Sequence, residues 1–232
     1  MEVLGDPQRG YLFPGGHWYG SVMVGAVLLD LDRTLVDLQS YTDYDAAWEA
    51  IAPLVPKDLI PEELQTGWSS ATRACMGVLS SMPDGDLWWS ISDRIASFET
   101  AAISRSVAMP GAYAFAHNLR DSPRAVVTLL PVDVAHDVLV QHGIDIPIVI
   151  GRDPRIRPKP SGDGLSHALE LLEVPASDAV MIGDSSWDAA AAQDAGVSFL
   201  GVHSPKTEFS ALFPDVVAHE SLADVFISMY RV

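Results

Sequence analysis

A short apolar run, Val24-Gly25-Ala26-Val27-Leu28-Leu29, stops abruptly at Asp30-Leu31-Asp32-Arg33-Thr34-Leu35. Four to six Val, Leu and Ala residues bounded by glycine and charge suit a strand buried on both faces, as parallel sheets require. Strands of such sheets present ligands at their carboxyl ends. Asp30 and Asp32 stand at that end with one residue between them, so both carboxylates reach one small volume. Paired carboxylates repel unless a cation or a shared proton relieves them, and a divalent metal is one such relief. The plainer alternative is that Asp30 opens a loop and Asp32 caps a helix.

Downstream the pattern changes twice. From 38 to 108 apolar residues recur at helical spacing, through Ala46-Ala47-Trp48, Ile51, Ala71, Cys75, Val78-Leu79, Ile91, Ile95 and Phe98. Pro53, Pro56, Pro61 and the Pro83-Asp84-Gly85 turn punctuate this stretch, which predicts an insertion of about four helices. From 109 to 232 strands and helices alternate. Strands are expected at 124–129, 146–150, 179–182 and 197–202, and helices at 132–142, 161–172, 187–195 and 222–230, with Ser161 as one N-cap and Gly143 and Gly196 as stops. Such alternation builds an α/β fold, a Rossmann-like parallel sheet with helices on both faces. The expected organisation is therefore a leader (1–23), an α/β core (24–37 and 109–232) and an inserted helical unit (38–108). The leader is rich in Gly, Pro and aromatics and lacks the order of a signal peptide; either it packs on the core or Met23 is the natural start.

Charge and cysteine content narrow the class of function. A formal net charge of −17 argues against nucleic acid and against anionic membranes as partners. The one cysteine, Cys75, rules out an intramolecular disulfide and fits a cytoplasmic protein. No apolar stretch reaches the length that a bilayer span needs.

Further polar residues fall where strands are expected to end. Thr128 closes the second core strand, Lys159 precedes a helix, and Gly183-Asp184-Ser185-Ser186-Trp187-Asp188 places Asp184 at a strand end with Asp188 after it. Each alone has an ordinary explanation, a turn cap or a solvated charge. Their order, Asp-x-Asp-x-Thr, then Thr, Lys and Gly-Asp-x-x-x-Asp, resembles the haloacid dehalogenase superfamily, in its phosphatase branch with a helical cap after the first motif. The resemblance spans roughly 24–202 and places the cap at 38–108.

The likeness implies a set of roles. Asp30 would be the nucleophile and Asp32 the general acid and base; Thr128 and Lys159 would hold the phosphoryl oxygens. Mg2+ would sit among Asp30, Asp32 (through its main-chain carbonyl), Asp184 and Asp188, the last orienting the metal's water shell or Lys159. Asp32 counts against dehalogenation. No histidine lies between 38 and 108, which counts against a hexose phosphomutase, and Lys57 is the only cap lysine for an imine chemistry. The expected protein is a phosphatase of a small phosphorylated metabolite, phosphoglycolate phosphatase-like, acting as a monomer or homodimer. Other readings stay open: a phosphomutase or other phosphotransferase, or a non-catalytic binding protein on the same scaffold. Arg33, where the family often has Gly or Asn, either contacts substrate or points to solvent. Arg152, Arg155 and Arg157 are expected to form a solvated basic loop.

Overall fold

The computed structural model describes residues 24–59, 67–203, 209 and 213–230. The leader therefore lies outside the described residues. The apolar run forms strand β1 (Ala26–Leu29), and all four of its residues are buried. It sits at the centre of a six-stranded sheet with β4 (Arg124–Val127), β5 (Val149–Ile150), β6 (Ala179–Gly183), β7 (Ser198–Val202) and β8 (Val217–His219). Their order is β5-β4-β1-β6-β7-β8, and every pairing is parallel.

Alternate side chains of β1 serve two separate cores, as strand periodicity demands. Val27 and Leu29 face a cluster that takes in Phe115 of α4 (Ala112–Asn118), Val134 and Val138 of α5 (Val132–Gln141), and Val225 of α8 (Leu222–Tyr230). Ala26 and Leu28 face Leu165 and Ala168 of α6 (Asp163–Leu172), and Ala191 and Ala192 of α7 (Ser186–Ala195). Helices thus cover both faces, which is why β1 shows no alternation of polarity.

Between strands β2 (Val36–Asp37) and β3 (Val107–Ala108), which pair antiparallel, the chain makes the helical cap. Among the described residues it holds three α-helices rather than four: α1 (Tyr44–Ile51), α2 (Ser70–Ser81) and α3 (Asp86–Ala102). Around Pro53 the chain makes only a one-turn 3-10 helix at Ala52–Leu54, because proline removes a backbone donor. Asp43 caps α1 and Ser69 caps α2, each accepting from a backbone N–H of the first turn. The cap has its own core of Ala47, Ile51, Cys75, Val78, Ile91 and Ile95, into which Trp187 of α7 also inserts. The ring of Trp187 lies 5.1 Å from that of Trp68.

Several boundaries differ from the sequence reading. The strand expected at 146–150 is only Val149–Ile150, since Ile144 and Ile146 pack on the core without strand pairing. Helix α6 begins at Asp163 with Gly162 as N-cap, and Ser161 instead accepts a hydrogen bond from the Asp163 N–H. A Cβ on Gly162 would stand 2.6 Å from the Ala195 nitrogen, so close packing of α6 on α7 selects glycine there. Strand β8 carries weak apolar alternation and was not anticipated. No helix among the described residues is long and apolar enough to cross a membrane.

Candidate active site

The strand order β4-β1-β6 brings three separate segments to one rim. Thr128 follows β4, Asp30 follows β1 and Asp184 follows β6. Neighbouring strands run about 4.8 Å apart, so side chains at adjacent carboxyl ends meet without further arrangement. Lys159 enters from the loop before α6. Its Nζ lies 2.6 Å from Asp30 Oδ1 and 2.6 Å from Asp188 Oδ1, with all three side chains buried.

Asp188 is held by the start of α7. Ser185 and Asp188 form a capping box, the Ser185 hydroxyl donating to Asp188 Oδ2 at 2.6 Å and the Ser185 N–H at 3.1 Å. Both Asp188 oxygens are thus engaged, one by Lys159 and one by the helix cap. Gly183 permits this approach: a Cβ there would stand 2.5 Å from the Asp188 carboxyl carbon.

Asp32 is arranged differently. The loop after Asp30 turns tightly, with Leu35 and Val36 N–H groups both donating to the Leu31 carbonyl and Arg33 in the left-handed region (φ 64°). This turn aims Asp32 Oδ1 at the backbone N–H groups of Leu38 and Gln39, at 2.9 and 3.0 Å. The side chain of Asp32 stands apart from the acidic cluster proper. Carboxylate oxygens of Asp30, Asp184 and Asp188 all lie within 4.8 Å of one another.

Burial governs the ionisation of these groups. It pushes the Asp32 carboxyl up to about 7, although the N–H groups of Gln39 and Leu38 pull it down. It pushes Asp30 up to about 6 against the pull of Lys159. Asp184 is raised well above the carboxylate range by burial and then by Asp30 and Asp188. Burial alone would lower Lys159, but Asp188 and Asp30 outweigh it and hold the ammonium above its ordinary range. Asp30, Asp184 and Asp188 offer carboxylate oxygens within 4.8 Å of one another, and hard oxygen donors at this spacing suit Mg2+. The donor set therefore fits the metal.

Thr128 is buried beside this cluster; its hydroxyl oxygen accepts from the Leu130 N–H at 3.2 Å, leaving the hydroxyl proton to donate. Arg33 Nε lies 3.6 Å from Asp184 Oδ2 with its side chain 40% exposed, and Arg33 is outside the cavity lining. Arg155 and Arg157 form surface pairs with Asp153 and Asp163, as a solvated loop would.

Arg152 departs from that expectation. It is buried, its Nη1 2.8 Å from Glu99 Oε1 of the cap, with Nε and Nη2 donating to the Ser92 hydroxyl and carbonyl. A guanidinium leaves water only where its fork finds this many acceptors, and those acceptors come from another part of the chain. Glu99 itself escaped the sequence reading. The available signal was a carboxylate on the apolar stripe Ile91, Ile95, Glu99, Ala102, where helical spacing calls for a core residue. Of the cap aromatics, Tyr44 lines the cavity, whereas the Trp88 indole N–H donates to the Leu79 carbonyl inside the cap core. The cavity between cap and rim measures about 30 Å³.

A parallel sheet under a helical cap, with Asp30 and Asp184 at its strand ends and Lys159 bridging Asp30 to Asp188, is the arrangement of a capped α/β hydrolase. The family model for haloacid dehalogenase-like hydrolases matches residues 24–196, and the chain belongs to that family. It is 28% identical to the phosphoglycolate phosphatase of Rhodobacter capsulatus over 187 residues, covering 77% of this chain and 84% of that protein. It is 31% identical to the plasmid phosphoglycolate phosphatase of Cupriavidus necator, covering 74% and 78%. A hydrolase from Pseudomonas syringae has the same fold, with a TM-score of 0.65 at 22% identity over 87% of this chain and 95% of that one. These relatives support a phosphatase.

Proposed function

We propose that the chain hydrolyses a small phosphate monoester with Mg2+ through an aspartyl-phosphate on Asp30. The observation that carries this reading is the buried contact of Lys159 with Asp30 at 2.6 Å, inside a cluster completed by Asp184 and Asp188. Asp30 and Asp184 carboxylates and the Asp32 main-chain carbonyl would hold the metal, whose charge lets one anion approach another.

The chain's own groups divide the remaining work. The Asp30 carboxylate attacks phosphorus and displaces the alcohol, which takes its proton from the Asp32 carboxyl; Asp32, held up to about 7, carries that proton near neutrality. Asp32 then accepts a proton from the water that hydrolyses the acyl phosphate, which returns Asp30 and releases phosphate. The Thr128 hydroxyl and the Lys159 ammonium hold the equatorial oxygens, and Asp188 positions Lys159. Trp187, packed in the cap core, joins the cap to the rim and helps exclude water.

Hydrolysis of p-nitrophenyl phosphate that needs Mg2+ and stops with EDTA is the expected result. Asp30→Asn should reduce turnover by about 10³-fold or more. Retained turnover in that variant refutes Asp30 as nucleophile. Silence of the parent protein across a panel of phosphate esters favours a non-catalytic binding role.

A further inference from the structure

We propose that Glu99 selects the leaving group, favouring a neutral hydroxylated alcohol over a carboxylated one of similar size, an inference that rests on the phosphatase reading above. Glu99 lies on α3 of the cap, is fully buried, and lines the same cavity as Asp30, Asp32 and Thr128. Its Oε1 accepts from Arg152 at 2.8 Å and from the Tyr44 hydroxyl at 3.1 Å. Its Oε2 is buried and accepts from no described residue. A buried carboxylate oxygen without a donor among the described residues has capacity for one, and a hydroxyl held in the cavity that Glu99 lines is suited to supply it.

The rest of the lining sharpens the preference. Lys159 is the cation among the described lining residues, and Asp30 and Asp188 already engage its ammonium at the phosphoryl end. Arg152 is turned to Glu99, to Ser92 and to the Leu129 carbonyl, and it does not line the cavity. Gln39 and Thr72 offer neutral groups, and Trp68 and Met76 offer apolar walls. A carboxylate on the leaving group would therefore meet another carboxylate with no further cation among the described lining residues, whereas a hydroxyl would donate to Oε2. Rejection by an unmatched charge separates ligands that shape alone cannot. The named substrate of the relatives, phosphoglycolate, carries the disfavoured group.

The test compares kcat/KM, with Mg2+, for 2-hydroxyethyl phosphate and phosphoglycolate, which differ at the terminal hydroxymethyl or carboxylate. The wild-type protein should favour the hydroxylated ester by about 100-fold. Glu99→Gln keeps an oxygen for Arg152 and puts an N–H donor in place of the other oxygen. The ratio between the two esters should then fall by about tenfold or more. A wild-type ratio near one or below it, or a ratio that Glu99→Gln leaves unchanged, overturns the inference. If Glu99→Gln has no folded melting transition, the wild-type ratio decides by itself. Hydrolysis of p-nitrophenyl phosphate without preference for 2-hydroxyethyl phosphate overturns this inference alone; hydrolysis of no ester overturns the phosphatase reading together with it.

Discussion

Arg152→Met is the perturbation whose magnitude follows most directly from the structure. Arg152 and Glu99 are the buried ion pair that ties core to cap, with side chains 1% and 0% exposed. Beyond that pair the guanidinium donates to the Ser92 hydroxyl at 3.0 Å, the Ser92 carbonyl at 2.9 Å and the Leu129 carbonyl at 3.2 Å. Methionine fills much of the volume but supplies no donor, and the Glu99 carboxylate is left buried without its cation. Breaking such a pair from one side destabilises by about 3–5 kcal/mol, which in a chain of this size lowers Tm by about 6–20 °C. Replacing both partners removes the stranded charge, so Glu99→Leu with Arg152→Met should recover at least half of the loss, even though Tyr44 then lacks its acceptor. Thermal and urea unfolding of the parent, both single variants and the double variant complete the cycle. A single-variant loss below about 1 kcal/mol, or a double variant no more stable than Arg152→Met, would refute a tight buried pair at this joint.

Other consequences are equally direct. Gly183→Ala would drive a methyl group into the Asp188 carboxylate, at 2.5 Å, and displace it from Lys159. A shift of about 1 Å at a reacting cluster lowers turnover by about 100-fold; unchanged kcat on p-nitrophenyl phosphate would show that Asp188 does not position Lys159. The pH dependence of metal-free stability has a definite sign. Asp30 and Asp32 hold their protons up to about 6 and about 7 when folded, against an ordinary 3.8. Their contribution is full below that ordinary value and disappears as pH rises through the folded values, so the EDTA-treated protein should lose stability between pH 4 and about pH 7. Added Mg2+ should raise Tm more at pH 8 than at pH 5, because the ligands must be deprotonated to bind it; a metal effect larger at pH 5 would contradict the carboxylate cluster.

How much of this was readable along the chain differs from residue to residue. Asp30 was legible because an unbroken apolar strand has to end somewhere, and what stands at the end of a buried strand faces solvent or ligand. Asp184 and Thr128 were legible for the same reason. Lys159 had no local signal beyond a helix start, and its importance came only through the order of the motifs. Asp188 combined two roles, since the serine and acid spacing that caps α7 also delivers a carboxylate to Lys159. Arg152 was misread as a surface charge because its acceptors, Ser92 and Glu99, lie 60 and 53 residues earlier.

The sequence by itself determined the elements: an apolar period of two or none for the strands, a period near 3.6 for the helices, and the residue types at each strand's end. Those are local properties, decided by backbone geometry and by which side chains avoid water. The tertiary structure alone decided the neighbours, namely that β4 and β6 flank β1, that Lys159 bridges Asp30 and Asp188, and that a cap carboxylate faces the rim. Contact between residues distant in sequence depends on strand order and packing, which no local pattern encodes.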